Sequence, residues 1–318
     1  MQAYQVLHIG KPAEMVTLPA PDPGPGQVRL DMRACGLNFA DLLLQKGTYQ
    51  ETPEVPFTLG MEGSGVVTAL GESVDGLKIG DRVAVFCGQG GLAEQGVFDV
   101  ARTLPLPEGI SFEQGAAFQI AYGTAHMALD HCARLQPGET LLVTGAAGGT
   151  GLAAVEIGKL MGARVIAHAR GADKLTVAGA AGADFLIDDS DDLRARVLEL
   201  GGADVVYDTI GGEVFRAAFR ATNPGGRLLP IGFASGEVPQ IPANHLLVKN
   251  LTVIGFYIGG YMKFHPKVVA NSLKTLLSWQ ISDRLTAHIG HTLPLDQVAK
   301  GMDLLRQRKA TGKVVITI

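Results

Sequence analysis

A glycine-rich segment is the first part of the chain whose residue types suggest chemistry. Residues 140–144 form the apolar run TLLVT, and GAAGGTG follows at residues 145–151. Small residues at such a turn let backbone N–H groups approach a pyrophosphate at the positive end of a helix. The spacing is GxxGxxG rather than GxGxxG, and glycine turns of other kinds are common. Because an apolar run precedes the turn and several β/α alternations follow, we predict a dinucleotide site at Ala147, Gly148, Gly149 and Thr150.

The end of the next apolar run bears on the choice between NAD and NADP. A carboxylate within residues 164–170 would bond the ribose 2′-hydroxyl, and none is present. Arg170 and Lys174 are able to neutralise a 2′-phosphate instead. The alternative is that both are solvated surface cations, and Asp173 lies between them. The residues favour NADPH.

Composition limits the partners of the chain. Its 318 residues are 47% hydrophobic and 18% charged, with a formal net charge of -4. These values are typical of a globular protein and give no basic footprint for nucleic acid or an anionic membrane. We expect a small-molecule partner. The three cysteines are odd in number and far apart, which is typical of reduced thiols, and no leader or long apolar stretch is evident. We therefore expect a cytoplasmic protein.

Two different patterns describe the elements that must position these residues. Up to about residue 102, short apolar runs are broken by Gly and Pro, which predicts an antiparallel, barrel-like β domain with one inserted helix, FADLLLQKG. From about residue 121, continuous apolar runs alternate with helical segments, which indicates a parallel sheet covered on both faces. We predict an α/β protein with a doubly wound parallel-sheet (Rossmann) domain over 123–260 and a catalytic β domain formed by 1–122 and 261–318.

Several strings resemble one known family and appear in its order along nearly the whole chain. They are ACGLNFADLLLQKGTY, PFTLGMEGSGVV, GDRVAVF, TGAAGGTGLAAVEIGKLMGA, VVYDTIGG and TGKVVITI. The chain resembles the medium-chain dehydrogenase/reductase superfamily, and within it the zinc-independent quinone oxidoreductase (ζ-crystallin-like) branch. The resemblance implies a GroES-like catalytic domain and a homodimer that pairs through an edge strand at about residues 252–256.

The resemblance also bears on metal binding. Zinc alcohol dehydrogenases of this superfamily place a ligand Cys at the end of a CGxC string and a ligand His in a GHE string. Asn38 and Met61 stand at those positions here, and neither completes a tetrahedral zinc site with N or S ligands. We therefore predict no metal. Without a Lewis acid, alcohol oxidation is disfavoured, whereas a quinone or enone accepts hydride unaided.

The resemblance implies roles for particular residues. Asn38 and Tyr49 would line the nicotinamide–substrate cleft and donate hydrogen bonds to a developing enolate, which Tyr49 would also be able to protonate. Taken alone, the two residues fit a turn-capping Asn and a half-buried aromatic. Thr124 falls where the family closes its cleft. Largely main-chain contacts to the cofactor are implied at Thr209, Ile231, Gly232, Phe233 and Phe256.

One departure from the family concerns the adenosine end of the cofactor. Bacterial relatives often carry a Tyr after the third strand of the parallel sheet, and this chain has Asp188, followed by Asp189. Two carboxylates close to a 2′-phosphate are unfavourable unless they point away from it.

Four functions agree with these residues. The first is NADPH-dependent reduction of quinones or related α,β-unsaturated carbonyls by metal-free hydride transfer. The second is an enone or enoyl-thioester reductase, although no Lys/Arg cluster is evident for the phosphates of an enoyl-CoA. The third is a non-catalytic NADPH-binding protein, such as an RNA-binding or structural relative. Zinc alcohol dehydrogenase is the fourth and agrees least with the residues.

Overall fold

The computed structural model describes residues 1–318 and divides into two compact units. The first unit comprises Met1–Ile120 and Thr286–Ile318, and the second comprises Ala121–Leu285. The first unit contains two β-sheets, and the second contains one. No helix in either unit is both long enough and apolar enough to cross a membrane.

The first unit contains ten strands and three α-helices. Its strands are β1 (Gln2–Val6), β2 (Glu14–Thr17), β3 (Gln27–Leu37), β4 (Phe57–Thr58), β5 (Glu62–Leu70), β6 (Arg82–Val85), β7 (Gln95–Asp99), β8 (Thr103–Pro105), β15 (Ile289–Pro294) and β16 (Lys313–Thr317). Its helices are α1 (Phe39–Lys46), α2 (Phe112–Ala117) and α11 (Val298–Arg306).

These strands form a seven-stranded sheet and a smaller three-stranded one. The large sheet has the order β15-β16-β3-β5-β6-β8, with β7 also paired to β3, and the small sheet has the order β2-β1-β4. Every pair is antiparallel except β15 with β16. The first part of β3 alternates buried and half-buried residues, as one covered sheet face requires. The predicted antiparallel GroES-like domain and its inserted helix, α1, are confirmed.

The second unit is a doubly wound parallel sheet. Its strands are β9 (Thr140–Thr144), β10 (Arg164–Ala169), β11 (Phe185–Asp188), β12 (Ala203–Asp208), β13 (Thr222–Pro230) and β14 (Thr252–Val253). Its helices are α3 (Ala121–His126), α4 (Gly149–Leu160), α5 (Ala172–Ala180), α6 (Leu193–Glu199), α7 (Gly212–Ala221), α8 (Ala243–Lys249), α9 (Ile258–Phe264) and α10 (Pro266–Ile281), and a π-helical turn, Met127–Cys132, follows α3.

The order of this sheet is β11-β10-β9-β12-β13-β14, and all of its pairs are parallel. This is the Rossmann order, in which the strand sequence reverses next to the first strand and leaves a crevice at the carboxyl ends. All five residues of β9 are buried, which agrees with a strand covered on both faces. The predicted Rossmann fold is confirmed.

The segment after residue 260 differs from the sequence-based boundary. The prediction placed all of 261–318 in the catalytic domain, whereas the second unit extends to Leu285. The reason is α10, which packs against α3 and α9 and buries Val269, Leu273 and Leu276 there. Only residues from Thr286 onward return to the first unit.

Candidate functional site

The glycine turn after β9 brings the start of α4 close to the strand end. Gly145 has φ +66°, and a Cβ built on Gly151 would lie 2.2 Å from the Gly145 carbonyl oxygen. Only glycine at position 151 permits this approach. The N-cap of α4 is Gly148, and no side chain of the protein caps the helix. The first N–H groups of α4 are therefore available to an anionic ligand.

Three side chains fasten the carboxyl ends of β9 and β12 together beside this turn. Thr144 Oγ1 donates to Asp208 Oδ1, and Thr209 Oγ1 donates to the Thr144 carbonyl oxygen at 2.9 Å. Asp208 Oδ2 accepts the Gly211 N–H at 2.8 Å, and burial raises the pKa of Asp208. Sequence interpretation missed Asp208, although a carboxylate directly after the buried run Val205–Tyr207 was a signal for such a role.

The loops after β12 and β13 meet at the same edge of the sheet. The N–H groups of Ile231 and Gly232 both donate to the Asp208 carbonyl oxygen, at 2.7 and 3.3 Å. A Cβ on Gly232 would lie 3.3 Å from the Thr209 oxygen. The structure thus brings Thr209, Ile231 and Gly232 together, and it leaves the neighbouring Phe233 partly exposed.

The other predicted cofactor residues of the second unit lie on separate elements. Thr124 is buried within α3. The Phe256 ring packs on Tyr261 of α9, with 5.4 Å between the ring centroids. Arg170 is exposed beyond the end of β10, and Lys174 is half-exposed in the first turn of α5. The cofactor roles of these residues stay predictions.

The first unit holds a buried polar network around Asn38, the N-cap residue of α1. The two amide hydrogens of Asn38 are donated to the Gly36 carbonyl oxygen at 3.2 Å and to Glu62 Oε1 at 2.9 Å. Its Oδ1 accepts a hydrogen bond from Lys313 Nζ at 2.8 Å, and its backbone N–H donates to Asp41 Oδ2 at 2.8 Å. The Asn38 side chain is therefore fixed in one orientation.

Lys313 is the charged centre of this network. Its Nζ also donates to the Leu37 carbonyl oxygen at 2.9 Å and to Glu62 Oε1 at 2.7 Å. The side chains of Lys313 and Glu62 are 2% and 0% exposed. Glu62 Oε2 accepts the Ile120 N–H at 2.9 Å. Sequence interpretation missed both Lys313 and Glu62. The lysine at the start of the apolar strand KVVIT was a signal that Lys313 is buried and needs a partner of opposite charge.

One acidic and one aromatic side chain complete the candidate site of the first unit. Asp41 Oδ1 accepts the Gly60 N–H at 3.2 Å, and burial raises the pKa of Asp41 to about 6. Tyr49 is partly buried and packs against the hydrophobic cluster that includes Leu42 and Leu59. The structure therefore places Asn38 and Tyr49 on the same unit, and their catalytic roles stay predictions.

The side chains at the zinc-ligand positions of the superfamily do not fit a zinc ion. Cys35, which precedes Asn38 by three residues, is buried, and burial raises the pKa of its thiol well above the usual value, which disfavours the thiolate that binds zinc. Asn38 and Met61 offer an amide and a thioether, and the Lys313 ammonium lies against Asn38. No group of three or more His, Cys, Asp or Glu side chains suits a metal ion.

Comparison with known proteins agrees with both units. Residues 24–129 match the alcohol dehydrogenase GroES-like domain, and residues 149–275 match the family described as zinc-binding dehydrogenase. The chain is 43% identical over 92% of its length to the quinone oxidoreductase-like protein 2 homolog of Nematostella vectensis and covers 82% of that protein.

Solved structures give the same result. The quinone oxidoreductase from Thermus thermophilus, also crystallised with NADPH, superposes with a TM-score of 0.89 at 36% identity over the full length of both chains. The Escherichia coli quinone oxidoreductase in complex with NADPH superposes with a TM-score of 0.92 at 26% identity, again over both full chains. The fold is that of the medium-chain dehydrogenases/reductases. The chain belongs to this superfamily and to its quinone oxidoreductase-like family, as its sequence motifs predicted.

Proposed function

We propose that the protein reduces quinones or related α,β-unsaturated carbonyls with NADPH, by hydride transfer and without a metal. The observation that carries this proposal is the Lys313–Glu62–Asn38 network of the first unit, in which Asn38 stands where zinc enzymes of the superfamily carry a ligand cysteine. The uncapped, glycine-lined terminus of α4 in the second unit supports it. Relatives crystallised with NADPH support the cofactor.

The residues of the second unit fit NADPH. The N–H groups at the start of α4, around Ala147, Gly149 and Thr150, would hold the pyrophosphate, because no side chain competes for them. Gly148, whose own N–H is donated to the Gly145 carbonyl oxygen at 3.0 Å, would line the turn. Arg170 would face the 2′-phosphate, since its side chain is exposed beyond β10. When bound, NADPH supplies the hydride. The loops at Thr209, Ile231, Gly232 and Phe233 would border the cofactor, and Thr124 and Phe256 would complete its surroundings.

In the first unit, Asn38 and Tyr49 are our candidates for contact with the reacting groups. Both amide hydrogens of Asn38 are already donated within the protein, so its free capacity is as a hydrogen-bond acceptor at Oδ1. Tyr49 carries a hydroxyl that can donate to an enolate oxygen or protonate the enolate. We therefore assign the donor role to Tyr49 and an orienting, accepting role to Asn38.

A steady-state screen tests this function. NADPH and NADH oxidation are measured against quinones, acyclic enones and enoyl thioesters, with Tyr49→Phe and Arg170→Ala as variants. We expect turnover of quinones with NADPH, a lower kcat for Tyr49→Phe, and a higher KM for NADPH but not for NADH in Arg170→Ala. Faster turnover of an enoyl thioester would favour the enone-reductase alternative. Cofactor binding without turnover of any acceptor would favour a non-catalytic NADPH-binding protein.

We also propose a cytoplasmic homodimer. Strand β14 is an edge strand that pairs only with β13, and it is shorter than the five-residue strand that was expected. In α8, the helix that precedes it, Leu247 and Val248 are 77% and 69% exposed, which is unusual for aliphatic side chains unless a partner covers them. The three unpaired cysteines support the location. Light scattering that gives a monomer mass would refute the dimer.

A further inference from the structure

One carboxylate ties the loop after β11 to the loop after β10. Asp188, the last residue of β11, pairs in register with Ala169, the last residue of β10. Asp188 Oδ2 accepts the Gly171 N–H at 2.7 Å. Its Oδ1 accepts the Ser190 hydroxyl at 2.7 Å and the Ser190 N–H at 3.0 Å. These hydrogen bonds, with those from Ser190 the largest, lower the pKa of Asp188, so the carboxylate is ionised at neutral pH.

Packing does little to hold the loop that Asp188 anchors. Gly171 has φ +83°, and a Cβ built there would meet no atom within 4 Å. The preceding residue, Arg170, is exposed, and its side chain makes no hydrogen bond or ion pair. The direction of the Arg170 side chain therefore depends on the hydrogen bonds that fix the neighbouring backbone. Among these bonds, the one from the Gly171 N–H to Asp188 involves a charged group.

The other carboxylates near this loop act differently. Asp191 Oδ2 accepts the Asp188 N–H at 3.2 Å. Asp189 Oδ1 lies 3.4 Å from Nε2 of the buried His168, whose pKa burial lowers. Asp173 is exposed on α5, and its side chain has no hydrogen bond or ion pair. Asp188 is thus the one carboxylate of the four that contacts the Arg170–Gly171 backbone. Both of its oxygens are engaged by donors, which offsets part of the repulsion that its charge would exert on a phosphate.

We propose that Asp188 is a positioning residue for the 2′-phosphate of the cofactor: it fixes Gly171 so that Arg170 extends toward the phosphate. This inference rests on the proposed NADPH-dependent function and goes beyond it by assigning part of the cofactor specificity to a carboxylate. The opposite interpretation, in which Asp188 simply repels the phosphate, predicts the opposite sign for its removal, so binding measurements distinguish the two.

The test uses the full-length protein without substrate and two probes, adenosine 2′,5′-bisphosphate and adenosine 5′-monophosphate. Their dissociation constants are measured by calorimetry for the wild type, Asp188→Ala and Asp188→Asn. We expect Asp188→Ala to weaken bisphosphate binding about tenfold, through loss of the charged anchor of the loop, and monophosphate binding by less than about twofold. Asp188→Asn keeps one acceptor for the Gly171 N–H and should restore most of the bisphosphate affinity.

Asp173→Asn is the matched control, because it removes the same charge near the loop without touching Gly171. It should bind the bisphosphate at least as tightly as the wild type. Tighter bisphosphate binding by both Asp188 variants would overturn the proposal and establish repulsion. An equal loss for both nucleotides would also overturn it, because the defect would not concern the 2′-phosphate. A wild type that binds the two nucleotides equally would instead refute the NADPH assignment itself.

Discussion

Replacing Lys313 by Met tests the most deeply buried charges of the first unit. The change removes three hydrogen bonds, to Leu37, Asn38 and Glu62, and keeps most of the aliphatic volume. The Glu62 carboxylate would remain fully buried with no positive charge beside it. Removing one partner of a buried ion pair costs about 3–5 kcal/mol because the other charge is left uncompensated. This is a large fraction of the roughly 5–15 kcal/mol that stabilises a typical domain.

The choice of probe matters in this experiment. The only tryptophan, Trp279, belongs to the second unit, so its fluorescence does not report on the network directly. Urea unfolding is therefore followed by far-UV circular dichroism, together with hydrogen exchange of the amides in residues 1–120 and 286–318. We expect a fall of about 3 kcal/mol in the unfolding free energy and faster exchange in the first unit.

Two further variants make the Lys313 experiment decisive. Lys309→Met removes an exposed lysine whose side chain makes no hydrogen bond or ion pair, and it should change the unfolding free energy by less than about 0.5 kcal/mol. The double variant Lys313→Met/Glu62→Gln removes both charges and should recover about half of the loss. If Lys313→Met is as stable as Lys309→Met, the network does not stabilise the unit as its geometry indicates.

Three other perturbations test separate parts of the structure. Glu156 accepts a hydrogen bond from Tyr122 at 2.5 Å, and burial raises the pKa of Glu156 to about 7 from about 4.5. The folded state therefore favours protonated Glu156, so the contribution of Glu156 to the unfolding free energy is fully present below about pH 4.5 and is lost as pH rises through 7. Glu156→Gln should therefore raise the unfolding free energy by about 2 kcal/mol at pH 8.5 and much less at pH 5; a pH-independent difference in urea unfolding would contradict this. Gly151→Ala should abolish calorimetric NADPH binding and cost about 1–3 kcal/mol, because its Cβ would overlap the turn, whereas Gly179→Ala has room and should be neutral or stabilising. Of the three thiols, only the half-exposed Cys132 should react with an aromatic disulfide reagent in the native state; release of more than one equivalent would contradict the burial of the other two.

The sequence predicts the fold well where periodicity and turn chemistry agree. The continuous apolar runs from β9 to β13 indicated a parallel sheet, and GAAGGTG indicated where that sheet meets its first helix. The boundary at residue 261 was less predictable. The helical pattern of α10 shows that one face is buried but not which unit buries it, and that depends on the surface of α3.

Two features that have no repeating hydrophobic pattern, a short helix and a buried polar network, were not predicted from the sequence. Helix α2 has only six residues, although its capping box was legible: Ser111 Oγ accepts the Gln114 N–H at 3.1 Å, and Gln114 Oε1 accepts the Ser111 N–H at 3.0 Å. The buried network is a different case. Glu62 and Lys313 lie 251 residues apart, and no local pattern connects them. Long-range polar pairing of this kind becomes visible only once the strands are placed side by side.

The split of the first unit has a consequence for the order of events on the ribosome. Residues 121–285 form an uninterrupted domain that can fold as soon as it emerges, because all of its strands are then present. The first 120 residues must wait for β16, which pairs with β3 and brings the ammonium that neutralises Glu62. A nascent chain halted shortly after residue 285 would therefore carry one finished domain and one sheet with an open edge and an uncompensated acid, a state suited to recognition by chaperones or proteases.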